Sequence, residues 1–439
     1  MNTFVNVPVY PINKTIRVPS SKSHSNRLLI LSAIHPSTIV IENYSHSSDV
    51  LSLINCLQKI GLNIEITPTT IRVSDQFPQV EEKQSNKNAT NATNAIIELD
   101  AGDGGTTNRF LLPLLARGCL RYKIKASNQM LKRPMSELFN ILKTFAVDLS
   151  SPSLSSSSSI YPIEIQGPIK LNSNLKIEVD CSQSTQFLSA LMLGLADLPI
   201  EFKAKNLSTS IPYLNLTKKL IDNFFHSCAQ GNNHYNHFVV PADFSSIAYP
   251  AALALICGES VTIENCTSTD FFDSLQADAE LFNIIDKMSG AKQKHYTFDS
   301  SGMLKIFKQR NELIGQEIDC SSFPDLVPTL AFICSYSKGE SKLKNIGNLK
   351  FKESNRIVEI GRVLNLFNIK HIYNELKDEL IIDGHGVQPK RPSLDFISPA
   401  DHRIAMMSYL FMRKNSGGRI YNCNCVNKSF PDFFTQMEI

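Results

Sequence analysis

One pattern constrains this chain more than any other. A small polar cluster followed directly by a long apolar run occurs six times. The copies are SKSHSNRLLILSAI from Ser21, DGGTTNRFLLPLLA from Asp103, SQSTQFLSALMLGLA from Ser182, DFSSIAYPAALALI from Asp243, DCSSFPDLVPTLAFI from Asp319 and SPADHRIAMMSYLFM from Ser398. Successive copies lie about 60 to 85 residues apart, a spacing that suits one supersecondary unit per copy. Each copy reads as a strand end, a cap and a helix. Ser, Thr and Asp accept hydrogen bonds from the free N–H groups of a helix's first turn. The runs that follow, such as Leu28 to Ile34 and Ala251 to Ile256, are apolar on nearly every face, so they predict helices buried on all sides. Pro250 and Pro328 fit only a first helical turn, so those two helices are expected to start late or kink.

Between the copies lie short segments rich in β-branched residues: Ile64 to Val73, Ile96 to Leu99, Ile163 to Ile165, Ile177 to Val179 and Val261 to Ile263. Their alternation suits strands. The architecture expected is α/β, six similar units paired into two domains. Buried helices of this kind could present their N-termini to one shared cleft. Each N-terminus carries roughly half a positive charge and unpaired N–H donors, so six together would trap anions.

Composition narrows the class. The chain has 439 residues, 42% apolar and 19% charged, with a net charge of +3. At roughly 150 residues per domain this allows two to four domains with ample core. A charge so near zero gives no reason to expect a nucleic-acid groove or a polybasic membrane patch. No apolar run approaches the ~18 to 20 residues of a transmembrane helix. The N-terminal segment has neither a charged start with an apolar core nor an Arg-rich amphipathic pattern, so a cytoplasmic protein without a targeting segment is expected. The ten cysteines are scattered without C-x-x-C spacing, which suits reduced thiols and argues against a zinc site. Residues 81–95 and 150–159 are polar and of low complexity, and read as enlarged loops. The tripeptides at Asn88 and Asn91 match the glycosylation pattern by chance in an Asn-rich chain.

Polar side chains gather at the predicted helix starts. Lys22, Ser23 and Arg27 lie in the first copy, Arg109 in the second, Ser184, Thr185 and Gln186 in the third, Asp325 in the fifth, and Asp401, His402 and Arg403 in the sixth. Arg133 in KRPM, Lys352, Glu353 and Arg356 in FKESNR, and Lys428 in NKSFPDFF add to them. Arginine forks match phosphate and carboxylate oxygens, and lysine supplies a point charge. Several cations with few carboxylates suit a small polyanionic substrate. Taken singly, each is as well explained as a solvated surface charge. Asp325 and Glu353, set among cations, would be held ionised and could act as bases; a helix cap and an ion-pair partner are their simpler explanations. Gly104-Gly105 with Thr106-Thr107 could let backbone approach a phosphate closely, although neither GxxxxGK[ST] nor G-x-G-x-x-G is present.

Nine segments carry a family resemblance: PSSKSHSNRLLILSA, AGDGGTTNRFLL, KRPMSEL, STQFLSALML, STSIPYLNLT, FPDLVPTLA, GNLKFKESNRI, DHRIAMM and KSFPDFF, in this order from Pro19 to Phe434. The chain resembles the 5-enolpyruvylshikimate-3-phosphate synthase (EPSP synthase) family. The resemblance implies a two-domain inside-out α/β barrel, each domain of three βαβαββ units around buried helices, closing on ligand. It implies a discontinuous lower domain of residues 1–20 plus 241–439. An upper domain of 21–240 would mainly bind shikimate 3-phosphate, with crossings near 19–21 and 239–242. It implies transfer of the enolpyruvyl group of phosphoenolpyruvate to shikimate 3-phosphate by addition and elimination, in a monomer without cofactor or metal. Carried over by residue, Ser23, Arg27, Ser184, Thr185, Ser210, Tyr213, Asp325, Asn348 and Lys352 would hold shikimate 3-phosphate. Gly105, Arg133, Arg356, Arg403 and Lys428 would meet phosphoenolpyruvate, and Lys22 and Gln186 both. Asp325 would accept the proton of the attacking hydroxyl, Glu353 and Lys22 would be the candidates for passing a proton to the methylene carbon, and His402 would support this region. Gly105 would mark sensitivity to glyphosate.

The chain departs from the family pattern in places. Thr185 stands where Ser is usual, Gln129 replaces a frequent Arg, Asp103 replaces a common Asn, Phe110 stands where some relatives have Pro, and SNR follows Lys352-Glu353 in place of the usual T/S-D-R. Asp103 adds negative charge beside the glycines. The sister transferase acting on UDP-N-acetylglucosamine usually carries a reactive Cys in the loop matching residues 126–135, and this chain has none there; Cys119 lies before it, expected on a strand. A non-catalytic binding homologue would have lost some of Lys22, Asp325, Glu353 or Arg403. An RNA-end cyclase of related fold would show a broader basic surface.

Overall fold

The computed structural model describes residues 4–9, 13–78, 96–151, 161–171, 175–230, 235–258, 260–290, 294–308, 312–385 and 393–438. Residues 81–95 and 152–159, which hold nearly all of both polar stretches and the two tripeptides, lie outside them. The chain divides into two compact units, residues 20–240 and residues 1–19 with 241–439.

In the 20–240 unit three helices, Lys22–Ile34, Gly105–Leu115 and Gln186–Gly194, touch one another at the centre. In the other unit Phe244–Cys257, Val327–Ser335 and His402–Lys414 do the same. These are the six apolar runs of the repeat, and they are buried almost throughout. Sheets cover them, so each unit has its helices inside. Serines within the runs return their hydroxyls to their own helix, as Ser32 does to Leu28 O and Ser335 to Ala331 O, both at 2.7 Å. Those two serine hydroxyls are then satisfied within their own helices and do not interrupt the apolar contact.

One rule organises the sheets. Each has a parallel strand pair associated with one core helix: Ile96–Asp100 with Arg121–Lys125, Leu175–Asp180 with Ile200–Lys205, Glu317–Asp319 with Lys338–Lys344, and Leu394–Ile397 with Gly418–Tyr421. Two pairs are completed from a distance. Strand Asn13–Ile16 pairs with Ser260–Thr267, and the whole 20–240 unit is inserted between that strand and the Phe244–Cys257 helix. Strand Thr38–Glu42, which follows the Lys22–Ile34 helix, takes its parallel partner from Tyr235–Val239 at the far end of its unit. Antiparallel hairpins extend four of the sheets to four strands.

The structure corrects several local expectations. Ile64 to Val73 is a hairpin of two strands, Ile64–Ile66 and Thr70–Val73, because Thr67 turns the chain with its hydroxyl near Thr70. Pro250 lies inside its helix, which starts at Phe244. Only the Ser246 carbonyl loses a helical donor there, and burial of the surrounding apolar side chains outweighs that loss. Pro328 does sit in the first turn, after a 3-10 turn at Pro324–Leu326. Cys119 precedes the Arg121–Lys125 strand instead of lying on it. All ten cysteines are free thiols, half or more of them buried. No helix of the described residues is long and apolar enough to cross a membrane.

The Gly105–Leu115 and Gln186–Gly194 helices approach closely at one point. A Cβ on Gly194 would fall 2.8 Å from Pro113 Cβ and 3.0 Å from Leu114 N. Gly194→Ala should therefore destabilise the protein by about 1–3 kcal/mol, read as a lowered denaturant midpoint; an unchanged midpoint would mean the two helices are not in close contact there.

Candidate active site

Burial of the helix flanks leaves their N-terminal turns as the places where polar side chains collect. Side chains cap three of the six. Ser21 accepts from His24 N, Asp243 from Ser246 N and Asp401 from Arg403 N. The other three caps, Gly104, Thr185 and Leu326, make no such bond. The polar clusters therefore do more than cap.

In the 20–240 unit, Lys22 and Ser23 open the first core helix, and Arg27 lies one turn on. Lys22 Nζ is 2.9 Å from the buried Asp49 carboxylate. Asp49 in turn receives the Thr107 hydroxyl on its carbonyl at 2.8 Å. Arg27 is buried. It donates to Thr217 Oγ1 at 2.8 Å, Ser23 O at 2.9 Å and Tyr213 O at 3.3 Å. Burial lowers its pKa to about 10, still high enough to keep it charged. Burial and then Arg27 push neighbouring His24 down to about 3, so that imidazole is neutral.

Gly105 is the first residue of its helix, and Arg133 follows the 3-10 turn Met130–Lys132. They meet closely: a Cβ on Gly105 would lie 2.7 Å from an Arg133 terminal nitrogen. Arg109 donates to Gln186 Oε1 at 2.5 Å and Pro134 O at 2.9 Å, with its Cζ 5.3 Å from the Phe187 ring centre. Ser184 Oγ accepts from Gln186 N at 3.2 Å, and Thr185 is the cap residue between them. Ser210 adopts φ 58° just before the Ile211–Gln230 helix, whose first turn holds Tyr213.

The other unit is organised by Arg356, 1% exposed. It begins the Arg356–Leu366 helix and faces three carboxylates: Asp401 at 2.9 Å, Asp325 at 2.9 Å and Glu353 at 2.6 Å. Burial opposes its charge, but Asp401, Glu353 and Asp325 together hold it above the ordinary arginine range. Asp325 also lies 3.0 Å from Arg403 and 3.4 Å from Lys352. Burial alone would raise its pKa; Arg403, Lys352 and Arg356 outweigh that and hold it well below the usual carboxylate range. Asp325 therefore acts as an ion-pair hub and caps nothing. Glu353 bridges Arg356 and Lys428, the latter at 3.2 Å. His402 opens the last core helix, buried, 3.9 Å from Asp401. Asn348 lies in the 3-10 turn Gly347–Phe351, and its buried Oδ1 has no hydrogen-bond partner among the described residues.

In the 20–240 unit the structure brings Arg27 to Ser23 and Tyr213, Gly105 to Arg133, and Gln186 to Ser184. In the other it joins Asp325, Lys352, Glu353, Arg356, Arg403 and Lys428 in one network. The set expected for each substrate draws on both units. The expected surplus of cations is unevenly distributed. The Arg356 group is nearly neutral, with carboxylates occupying its cations, whereas Arg27 is met by neutral oxygens. Three residues escaped assignment from sequence. Asp401 stood in the list of polar residues without a role, yet it joins a helix cap to Arg356. Asp49 looks like any acid in a helix's first turn. Asp278 carries no motif at all. It is buried, Ser245 donates to it, and burial followed by the Asp325 charge raises its pKa to about 7.

Comparison with known proteins adds an independent line. The family model described as EPSP synthase (3-phosphoshikimate 1-carboxyvinyltransferase) matches residues 8–437. The chain is 29% identical to the 3-phosphoshikimate 1-carboxyvinyltransferase of Buchnera aphidicola subsp. Cinara cedri, over 97% of this chain and 94% of the relative. It is 28% identical to the chloroplastic enzyme of that name from Arabidopsis thaliana, over 98% and 83%. The EPSP synthase structure from Acinetobacter baumannii superposes with a TM-score of 0.71 at 21% identity, over 99% of this chain and 97% of that one. The enolpyruvyl transferase NikO from Streptomyces tendae shares the fold, with a TM-score of 0.68 at 12% identity over 99% and 96%.

Two measurements test the charge cluster. Arg356→Met would leave three carboxylates facing one another, so it should cost about 3–5 kcal/mol of stability by denaturant unfolding. Asp278 binds its proton more tightly folded than unfolded. Between about pH 4 and 7 the folded state holds the extra proton, so this group lowers stability as pH rises through that window. Asp278→Asn should leave the thermal midpoint near the parent's at pH 4 and above it at pH 8; a constant offset would contradict the raised pKa.

Proposed function

The chain belongs to the EPSP synthase (3-phosphoshikimate 1-carboxyvinyltransferase) family, and from that premise we propose how its residues divide the reaction. The enzyme moves the enolpyruvyl group of phosphoenolpyruvate to the 5-hydroxyl of shikimate 3-phosphate and releases phosphate, in aromatic amino acid biosynthesis. Ser23, Arg27, Ser184, Thr185, Ser210, Tyr213, Asp325, Asn348 and Lys352 hold shikimate 3-phosphate. Gly105, Arg133, Arg356, Arg403 and Lys428 hold phosphoenolpyruvate, and Lys22 and Gln186 serve both.

The observation that carries this reading is the grip of Arg403, Arg356 and Lys352 on Asp325. In that grip Asp325 is a weak base. Substrate phosphate and carboxylate oxygens can take over Arg403 and Lys352, since both are matched to such anions. As they do, Asp325 loses positive neighbours and its affinity for a proton rises. Binding of the anions thereby makes the base. Asp325 then takes the hydroxyl proton as the oxygen attacks C2 of phosphoenolpyruvate, and Glu353 or Lys22 delivers a proton to C3. In the tetrahedral intermediate the C2–O bond to phosphate breaks as a proton leaves C3, which restores the double bond in the product. Lys428, Arg133 and Arg403 offset charge on the departing phosphate. His402 supports Arg403 and Asp401 at the same helix start. For Arg356 the assignment includes an exchange, because its donors already face carboxylates; phosphoenolpyruvate must displace one of them.

Gly105 supports glyphosate as an inhibitor. A methyl there would press on Arg133, and a bulkier or differently shaped anion than phosphoenolpyruvate would lose more. We also take the enzyme to be a cytoplasmic monomer, its mass to be checked by sedimentation.

Phosphate release should require both phosphoenolpyruvate and shikimate 3-phosphate, with UDP-N-acetylglucosamine inactive as acceptor; release with the sugar nucleotide would assign a different acceptor. Gly105→Ala should raise the glyphosate concentration for half inhibition more than it raises KM for phosphoenolpyruvate, and equal shifts would contradict the role of Gly105.

A further inference from the structure

Arg27 differs from Arg356 in what surrounds its charge. Both are buried, yet the described partners of Arg27 are neutral: the Thr217 hydroxyl, two backbone carbonyls and the Phe110 ring, whose centre lies 5.4 Å from Cζ. A guanidinium has five N–H groups. Three are donated here, and the two left lie one on each terminal nitrogen, the fork that a carboxylate or phosphate accepts. The Nε contact is sealed from solvent, whereas the terminal nitrogens lie in partly exposed contacts.

Thr217 holds that sealed end. It is 0% exposed and sits in the Ile211–Gln230 helix. Its oxygen lies 3.0 Å from Tyr213 O and 3.1 Å from Ser189 Oγ. The single hydroxyl proton goes to one of these, which directs a lone pair at Arg27 Nε. The hydroxyl thus ties three core elements to one guanidinium plane: its own helix, the Lys22–Ile34 helix through Arg27 and the Gln186–Gly194 helix through Ser189. A carboxylate at this position would fix Nε equally well but would also cancel the charge.

We propose that Thr217 is a positioning residue for the reaction: it orients Arg27 through Nε while leaving its charge uncompensated, so that the fork is reserved for an anionic group of shikimate 3-phosphate. The inference rests on the assignment of Arg27 to that substrate. Thr217 touches no substrate itself.

The test measures shikimate 3-phosphate binding to the free enzyme by calorimetry, with KM for both substrates alongside. Thr217→Val keeps the shape and removes the oxygen. It should weaken shikimate 3-phosphate binding about tenfold, the usual effect of losing a hydrogen bond to a charged group, and leave KM for phosphoenolpyruvate within about twofold. Thr217→Ser should restore binding to near the parent value. Thr217→Asp, which sets a carboxylate on Nε, should weaken binding at least as much as Thr217→Val, and it serves as the second variant should the valine protein fail to fold. Parent-like binding by Thr217→Val or Thr217→Asp would overturn the inference. So would a serine variant as weak as the valine one, since that would put the effect in the lost methyl. Arg27→Ala separates the two levels: if it binds shikimate 3-phosphate normally, the assignment of Arg27 itself fails.

Discussion

A helix buried on all its flanks can meet polar partners only at its ends, and this constraint governs both units. Six such helices use their flanks to make the two cores, so their first turns become the sites for charge. Lys22, Ser23, Gly105, Thr185, Gln186, His402 and Arg403 all lie within a turn of a core-helix start, for the same reason that Leu29, Leu112 and Met407 lie deep in the flanks. The free N–H groups there favour anions in addition to any side-chain cation. A weakly charged chain can in this way hold a strongly anion-binding site, because the dipoles do not enter the net charge.

The two units solve the problem of a buried cation differently. Arg356 is neutralised by Asp325, Glu353 and Asp401, which makes the cluster self-sufficient; in the division of roles proposed above, the same carboxylates are released for chemistry. Arg27 is solvated by carbonyls and a hydroxyl, which costs more in the free protein but leaves a full charge for a ligand. The first arrangement suits groups that exchange protons during a reaction, and the second suits a fixed grip on one that does not change charge.

Much of this was legible in the sequence because it repeats. Six copies of one pattern gave the core helices nearly to the residue, and the order of nine motifs gave the family. The misses have physical causes. Ile64 to Val73 reads as one strand because the threonines at its turn are good strand formers, although Pro68 between Thr67 and Thr69 marks the break. Pro250 breaks a rule that the packing around it overrides. Asp325 is no miss: of its two readings, a cap and an ionised carboxylate among cations, the ion pairs to Arg403, Arg356 and Lys352 decide for the second. Asp49 and Asp278 come to their partners from distant parts of the chain, and no local pattern marks them. Charge balance, too, is a property of contacts, so the neutrality of the Arg356 cluster was invisible in a list of residue types.

The strand pairing also sets an order of events during synthesis. Strand Asn13–Ile16 emerges from the ribosome before the 20–240 unit, but its neighbour Ser260–Thr267 is made only after that whole unit. Strand Phe4–Val7 waits longer still, for Gly418–Tyr421. The inserted unit has every strand partner it needs once Val239 has emerged. Both strands therefore wait for their partners while the inserted unit is made, and must remain available until it is complete.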